Sequence, residues 1–241
     1  MTTQTAPLDG PADTQTMGIV HSALRRDVVR TKMVLGTPAA REPRRRTAIA
    51  EHLIWMVEFL HHHHQGEDDG LYPLVVRRNP ASAELVEQMD ADHGSITPAM
   101  DALEEAARRH LTDRDSPDEL LVKAIDNLSD VLLPHLAREE LEMMPVVSAS
   151  ITEREWREWD EEFNLKPKGM RELAMDGHWI LDGLTGPGRE HIETLVPPVP
   201  RFILIRLMGG PYRRKRAQLW DGTPAADVPS IPVDAVEVWA R

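Results

Sequence analysis

The sequence of 241 residues contains no cysteine. That excludes a disulfide scaffold, thiolate-held zinc or iron–sulfur sites and a cysteine nucleophile, so any metal must be held by nitrogen and oxygen. Positive charge is also in deficit: 28 Lys and Arg face 40 Asp and Glu, for a net charge of −12. Such a surface repels phosphate backbones, and no nucleic-acid partner is expected. The exceptions are two short basic runs, Arg44 to Arg46 and Arg213 to Arg216; the second reads as a solvated helix end, with an anionic surface as the rival reading. No apolar run approaches the roughly 18 to 20 residues that cross a bilayer. The first sixteen residues lack the basic start and apolar stretch of a leader, so the expectation is a cytoplasmic chain with no membrane partner. Rings are scarce as well, with three Phe and two Tyr, whereas histidines number eleven. The histidines are where function is to be sought.

Hydrophobic periodicity predicts an all-α chain. Residues 1–13 are rich in Thr, Pro, Gly and Asp without an apolar period and read as a flexible tail. Met17, Val20, Leu24 and Val28 mark a first helix ending near Gly36, and a second runs from about Thr47 until Gly66, Gly70 and Pro73 break it. A third spans about Ser82 to Leu111. A fourth starts at Ser116-Pro117-Asp118-Glu119, with Ser116 as the expected cap, and runs to about Met144. Short connections make these an antiparallel four-helix bundle over residues 14–150. Residues 151–241 read as a helical extension packed on the bundle. It has a Thr152–Glu155 cap before Trp156, Trp159 and Phe163, helical stretches near 169–183 and 188–209, and an extended end carrying Pro224, Pro229 and Pro232.

Sliding the sequence by 72 places lays His21 on His93, His63 on His135, Glu67 on Glu139 and Pro73 on Pro145, with Asp68 on Glu140 and Leu71 on Met143 as weaker matches. The chain therefore reads as a duplicated helical hairpin, each half carrying one lone His and one His-x-x-x-Glu. Residues four apart share a helical face. His63 with Glu67, and His135 with Glu139, fall on the apolar stripes, as do His21 and His93, so four imidazoles and two carboxylates should converge at the bundle centre. Unpaired, they would be costly there, and metal coordination resolves the cost. Two carboxylates able to bridge, with two histidines for each ion, suit a dinuclear site; the ligand types allow Fe, Mn, Zn or Co.

These residues resemble the hemerythrin-like family, in its His-His-Glu cation-binding branch. The matching pieces are His21, the run His61 to Asp68 ending in Leu71-Tyr72-Pro73, His93, and His135 to Glu139 ending at Pro145. The resemblance implies a non-haem di-iron centre, two ions per chain, bridged by Glu67, Glu139 and an oxo or hydroxo group. The oxygen carriers of that family place a further His four residues after the third-helix histidine, where this chain has Thr97. Of about twelve positions on two six-coordinate ions, about two are then left open, which favours peroxide or nitric oxide chemistry over oxygen carriage. Thr97, one turn after His93, should look toward the same ion.

Four successive histidines fan around a helix and cannot all face inward. His63 is the expected ligand, His64 with Asp68 the rival pair, and His61 and His62 outer groups. His52, three turns before His63, is either an orienting or proton-shuttling group or a capped core histidine. His110, His178 and His191 read as structural or solvated. Pro98 and Pro134 should distort their helices near the metal. The functional expectation is a di-iron oxidoreductase acting on a small diatomic or peroxide ligand. The alternatives are an O2 or nitric oxide sensor or store, an iron reservoir and, more remotely, a two-zinc hydrolase. Nothing in the sequence resembles a nucleotide or flavin site, so the reductant is unidentified.

Overall fold

A computed structural model describes residues 7–195 and 202–235. Helix α1 spans Gln15–Leu35 and α2 spans Pro43–Gly66. A five-residue π-turn, Glu67–Leu71, leads into α3, Tyr72–Arg78. Helices α4, Ala83–Thr112, and α5, Asp118–Arg138, form the second hairpin. A second π-turn, Glu139–Met143, leads into α6, Met144–Ser150. Then come α7 (Glu153–Asp160), a π-turn at Glu161–Leu165, α8 (Met170–Leu181), α9 (Gly186–Leu195), a π-turn at Ile203–Leu207 and α10 (Gly210–Trp220). Among the described residues there are helices and turns but no strand, only one isolated bridge between Pro11 and Thr152. None of these helices is long and apolar enough to cross a membrane.

The expected helical bundle is present: α2 packs on α4, α4 on α5 and α5 on α1. The sequence places helix breaks at Gly66, Gly70 and Pro73; the chain instead stays helical through a π-turn. A proline has no N–H to give and its ring crowds the carbonyl four residues back, and widening the preceding turn removes both conflicts. Pro73 and Pro145 stand in the first turns of α3 and α6 immediately after these π-turns. Pro98 and Pro134 lie inside α4 and α5, which continue through them. Pro117, not Ser116, occupies the cap position of α5, whereas Thr152 and Glu155 form the expected capping box.

The N-terminal segment departs from the flexible tail. Within residues 7–13, the Leu8 and Gly10 carbonyls accept from Arg154 and Glu153, Ala12 N–H donates to Ile151, and Ala12 is buried; residues 1–6 lie outside the described part. The C-terminal stretch expected at 188–209 is split: α9 covers its start, 196–201 lie outside the described residues, and the π-turn follows. Helix α10 was not expected, and its basic run is only partly solvated. Lys215 Nζ sits 4.7 Å over the Trp55 ring, and Arg216 pairs with Asp182 and Asp221. Trp179 of α8 binds α1 and α2 together: its indole N–H donates to Asp27 at 2.8 Å and its ring meets Trp55 and Phe59.

Two apolar clusters divide the bundle along its length. Leu24, Leu60, Ile96 and Leu132 belong to one, and Met17, Leu71, Met89 and Met143 to the other. On each of the four bundle helices the expected histidine ligand stands between a residue of one cluster and a residue of the other.

Candidate metal centre

That layer brings all six expected ligands together. His21 Nε2 and His63 Nε2 are 3.2 Å apart, and so are His93 Nε2 and His135 Nε2. Glu67 spans the two pairs, with Oε1 3.2 Å from His63 and Oε2 3.6 Å from His93. Glu139 Oε2 does the same, 3.5 Å from His21 and 3.7 Å from His135. Each glutamate is the first residue of a π-turn, a helical defect that often marks a functional site. Both are fully buried, and the four histidines are at most 7% exposed.

The outer nitrogens follow a crossed pattern. His21 Nδ1 donates to Glu140 at 3.0 Å and His93 Nδ1 to Asp68 at 2.8 Å. Asp68 and Glu140 are equivalent in the repeat, each following its own ligand glutamate, and each orients the lone histidine of the other hairpin. His135 Nδ1 donates to Asp92 at 3.3 Å. Glu140 is held in turn by Arg25 at 2.7 Å, and Asp92 by Arg138. Carboxylates at these nitrogens fix ring orientation and leave the Nε2 lone pairs for a metal. Asp68 therefore does not pair with His64, and the rival His64–Asp68 pair is not formed.

Proton energetics match a cation site. Burial, reinforced by neighbouring charges, holds His21 and His63 well below the usual imidazole range. Burial with His93 and His21 brings His135 down to about 3. Burial pushes Glu139 up to about 7, and burial beside the Glu139 carboxylate raises Glu67 well above the usual range. Burial therefore disfavours the charged forms of His21, His63 and His135, and the two carboxyls resist ionisation unless a cation sits beside them. Both Glu67 oxygens, Glu139 Oε2 and His64 Nε2 are buried without a hydrogen-bond partner. The donor set fits a metal. Two groups have their ligand atoms within 4.8 Å of one another: His21, His63 and Glu139, and His64, His93 and His135.

Other expectations change. Thr97 is exposed and its hydroxyl donates back to the His93 carbonyl at 2.9 Å, so it does not face the centre. A threonine hydroxyl inside a helix can bond the carbonyl one turn back instead of reaching inward. His52 is a core histidine whose Nε2 lies 2.7 Å from Asp27, remote from the ligands. Tyr72 was part of the motif but had no assigned role. It is buried, and its hydroxyl donates to Glu139 Oε1 at 3.2 Å. His64, the rival to His63, is 5% exposed and lies against His93.

A sequence model of the hemerythrin HHE cation-binding domain matches residues 15–148, more than half of the chain. The protein belongs to the hemerythrin HHE family. Comparison with curated proteins and with solved structures gives no match. The matched span of this HHE protein runs from the start of α1 almost to the end of α6 and contains every histidine and glutamate of the cluster described above. Membership makes the chain a metal-binding protein and accounts for four helices converging on histidine and glutamate.

Proposed function

We propose that the centre holds two iron ions bridged by Glu67 and Glu139 and reacts with small oxidants: peroxide, nitric oxide or O2. The observation that carries the two-ion reading is the pair of facing imidazoles His93 and His135. Their Nδ1 atoms are turned to the carboxylates of Asp68 and Asp92, so both Nε2 atoms point inward and meet across 3.2 Å. The Nε2 atoms of His21 and His63 face each other at the same distance. Two such foci with two shared carboxylates favour a pair of cations over one. Iron, among the metals these ligands suit, is favoured by the family.

Bound iron supplies one-electron redox chemistry that these side chains lack. The chain's own groups shape its surroundings. Asp68, Asp92 and Glu140 orient three rings. Tyr72, whose hydroxyl burial pushes well above its usual range, stays protonated and donates to Glu139. The apolar clusters on both sides keep the surroundings of the centre low in polarity, which favours a reactant of only a few atoms.

The test is iron content and peroxide turnover of aerobically purified protein. About two irons per chain, absorption of an oxygen-bridged iron pair and O2 evolution from added peroxide are expected. One iron per chain, with Glu67 and Glu139 both dispensable, would sink the reading. A second reading, reversible binding of O2 or nitric oxide, is favoured by the presence of His64 in the second group, because every added protein ligand removes a position where a reactant could meet the metal. A reversible spectral change on removing O2 would separate it from turnover.

A further inference from the structure

The centre has one donor more than its duplicated pattern requires. His63 corresponds to His135 in the repeat, and its neighbour His64 to Leu136, so only the first hairpin carries an imidazole at that place. Adjacent helical residues point about 100° apart, and two neighbours can both reach the interior only where the helix runs along the centre rather than beside it. His63 and His64 do so, at 7% and 5% exposure, while His62 is exposed and His61 half-buried. The His64 ring lies parallel to that of His93, with centroids 4.1 Å apart and planes 11° apart, and edge-on to His135 at 5.4 Å. Its Nε2 is buried and has no hydrogen-bond partner. An imidazole nitrogen left so would be destabilising by about 1 to 3 kcal/mol without a partner. A ring nitrogen of His64 lies within 4.8 Å of one from His93 and one from His135, the spacing of donors around a shared cation.

We propose that His64 is the third nitrogen ligand of the ion held by His93 and His135, taking the part the oxygen carriers give to a histidine at the position of Thr97. The inference rests on the two-ion reading above. It makes the ions unequal: one has three protein nitrogens and the other, at His21 and His63, has two. The ion with fewer nitrogens is the one that leaves first and the one with room for an incoming small ligand.

Release of iron from the loaded protein to a colorimetric Fe(II) chelator, under anaerobic reducing conditions, reads this directly. Wild type should release its two irons in a fast and a slow phase of equal amplitude. His64→Leu, which installs the residue the repeat itself uses at Leu136, should speed the slow phase tenfold or more and bring it close to the fast one. His62→Ala should release like wild type. Identical release from wild type and His64→Leu would overturn the assignment. Circular dichroism reports whether the variant is folded; if it is not, His64→Phe keeps the ring against His93 without a nitrogen and carries the same comparison. A wild type that holds a single iron overturns the two-ion reading instead, and His64 then stands or falls by whether His64→Leu speeds the loss of that one iron.

Discussion

Removing Glu140 separates what the outer carboxylates do for the fold from what they do for the metal. Arg25 is 2% exposed, and its one hydrogen bond among the described residues is to Glu140; its Nε and Nη1 have none. Glu140→Ala therefore leaves a buried cation alone, which destabilises by about 3–5 kcal/mol. For a chain of this length each kcal/mol moves the midpoint by about 2 to 4 °C, so Tm should fall by roughly 6 to 20 °C. Arg25→Met combined with Glu140→Ala removes the stranded charge and should recover most of that fall. Iron affinity should behave differently. His21 loses its Nδ1 acceptor in both variants, and an outer-sphere loss of this kind weakens metal binding about 10- to 100-fold, or about 1.4 to 2.7 kcal/mol. Because that part is common to both, it cancels in the difference between their Tm values. Thermal denaturation by circular dichroism and competition for iron with a chelator measure the two effects. A double variant no more stable than Glu140→Ala would show that the stranded guanidinium is not the cause. Iron affinity restored in the double variant would show that Glu140 does not orient His21.

Thr97→His should leave iron content and peroxide turnover unchanged within twofold, since position 97 faces solvent; altered turnover at full iron occupancy would refute that placement. In Gly70→Ala the new Cβ would stand on the Phe163 ring and within 2.8 Å of Trp159 Cδ1, so overpacking should be destabilising by about 1 to 3 kcal/mol, read by urea denaturation followed in tryptophan emission. Burial opposes ionisation of Asp27, but Arg26 and His52 outweigh it and hold the carboxyl far below its usual range. Its contribution is therefore complete above pH about 4 and shrinks as pH falls further, by up to about 1.4 kcal/mol per unit. Wild type should lose stability more steeply than Asp27→Asn between pH 4 and 3, and parallel curves would refute the linkage; metal loss, common to both, drops out of the comparison.

The four bundle helices were legible because their apolar stripes recur over many turns, and the convergence of the four histidines and two glutamates because duplication doubles a weak spacing signal. The Asp68–Glu140 match was visible too, but its role was not, because the partner of each lies on the opposite hairpin and nothing local records that. His64 escaped for a related reason: spacing rules assign one inward residue per turn, and two adjacent inward histidines arise only from how α2 lies across the other helices. The π-turns read as helix ends because Gly70 and Pro73 are breakers within a regular α-helix, whereas a widened turn accepts both. Thr97 was read through an analogy of position, and its hydroxyl found the carbonyl one turn back instead.

The crossed bonds of His21 to Glu140 and His93 to Asp68 mean that neither hairpin is a metal site in itself. A fragment ending before Ala83 would carry His21, His63, His64 and Glu67 but no acceptor for His21; its complement would carry His93, His135 and Glu139 but no acceptor for His93. Each half holds the part the other lacks. For a single hairpin on its own, the same bonds could be made only across two copies, face to face. The centre is thus built as a clasp between two halves, and joining them in one chain fixes which half meets which, leaving each free to diverge as His64 and Leu136 have done.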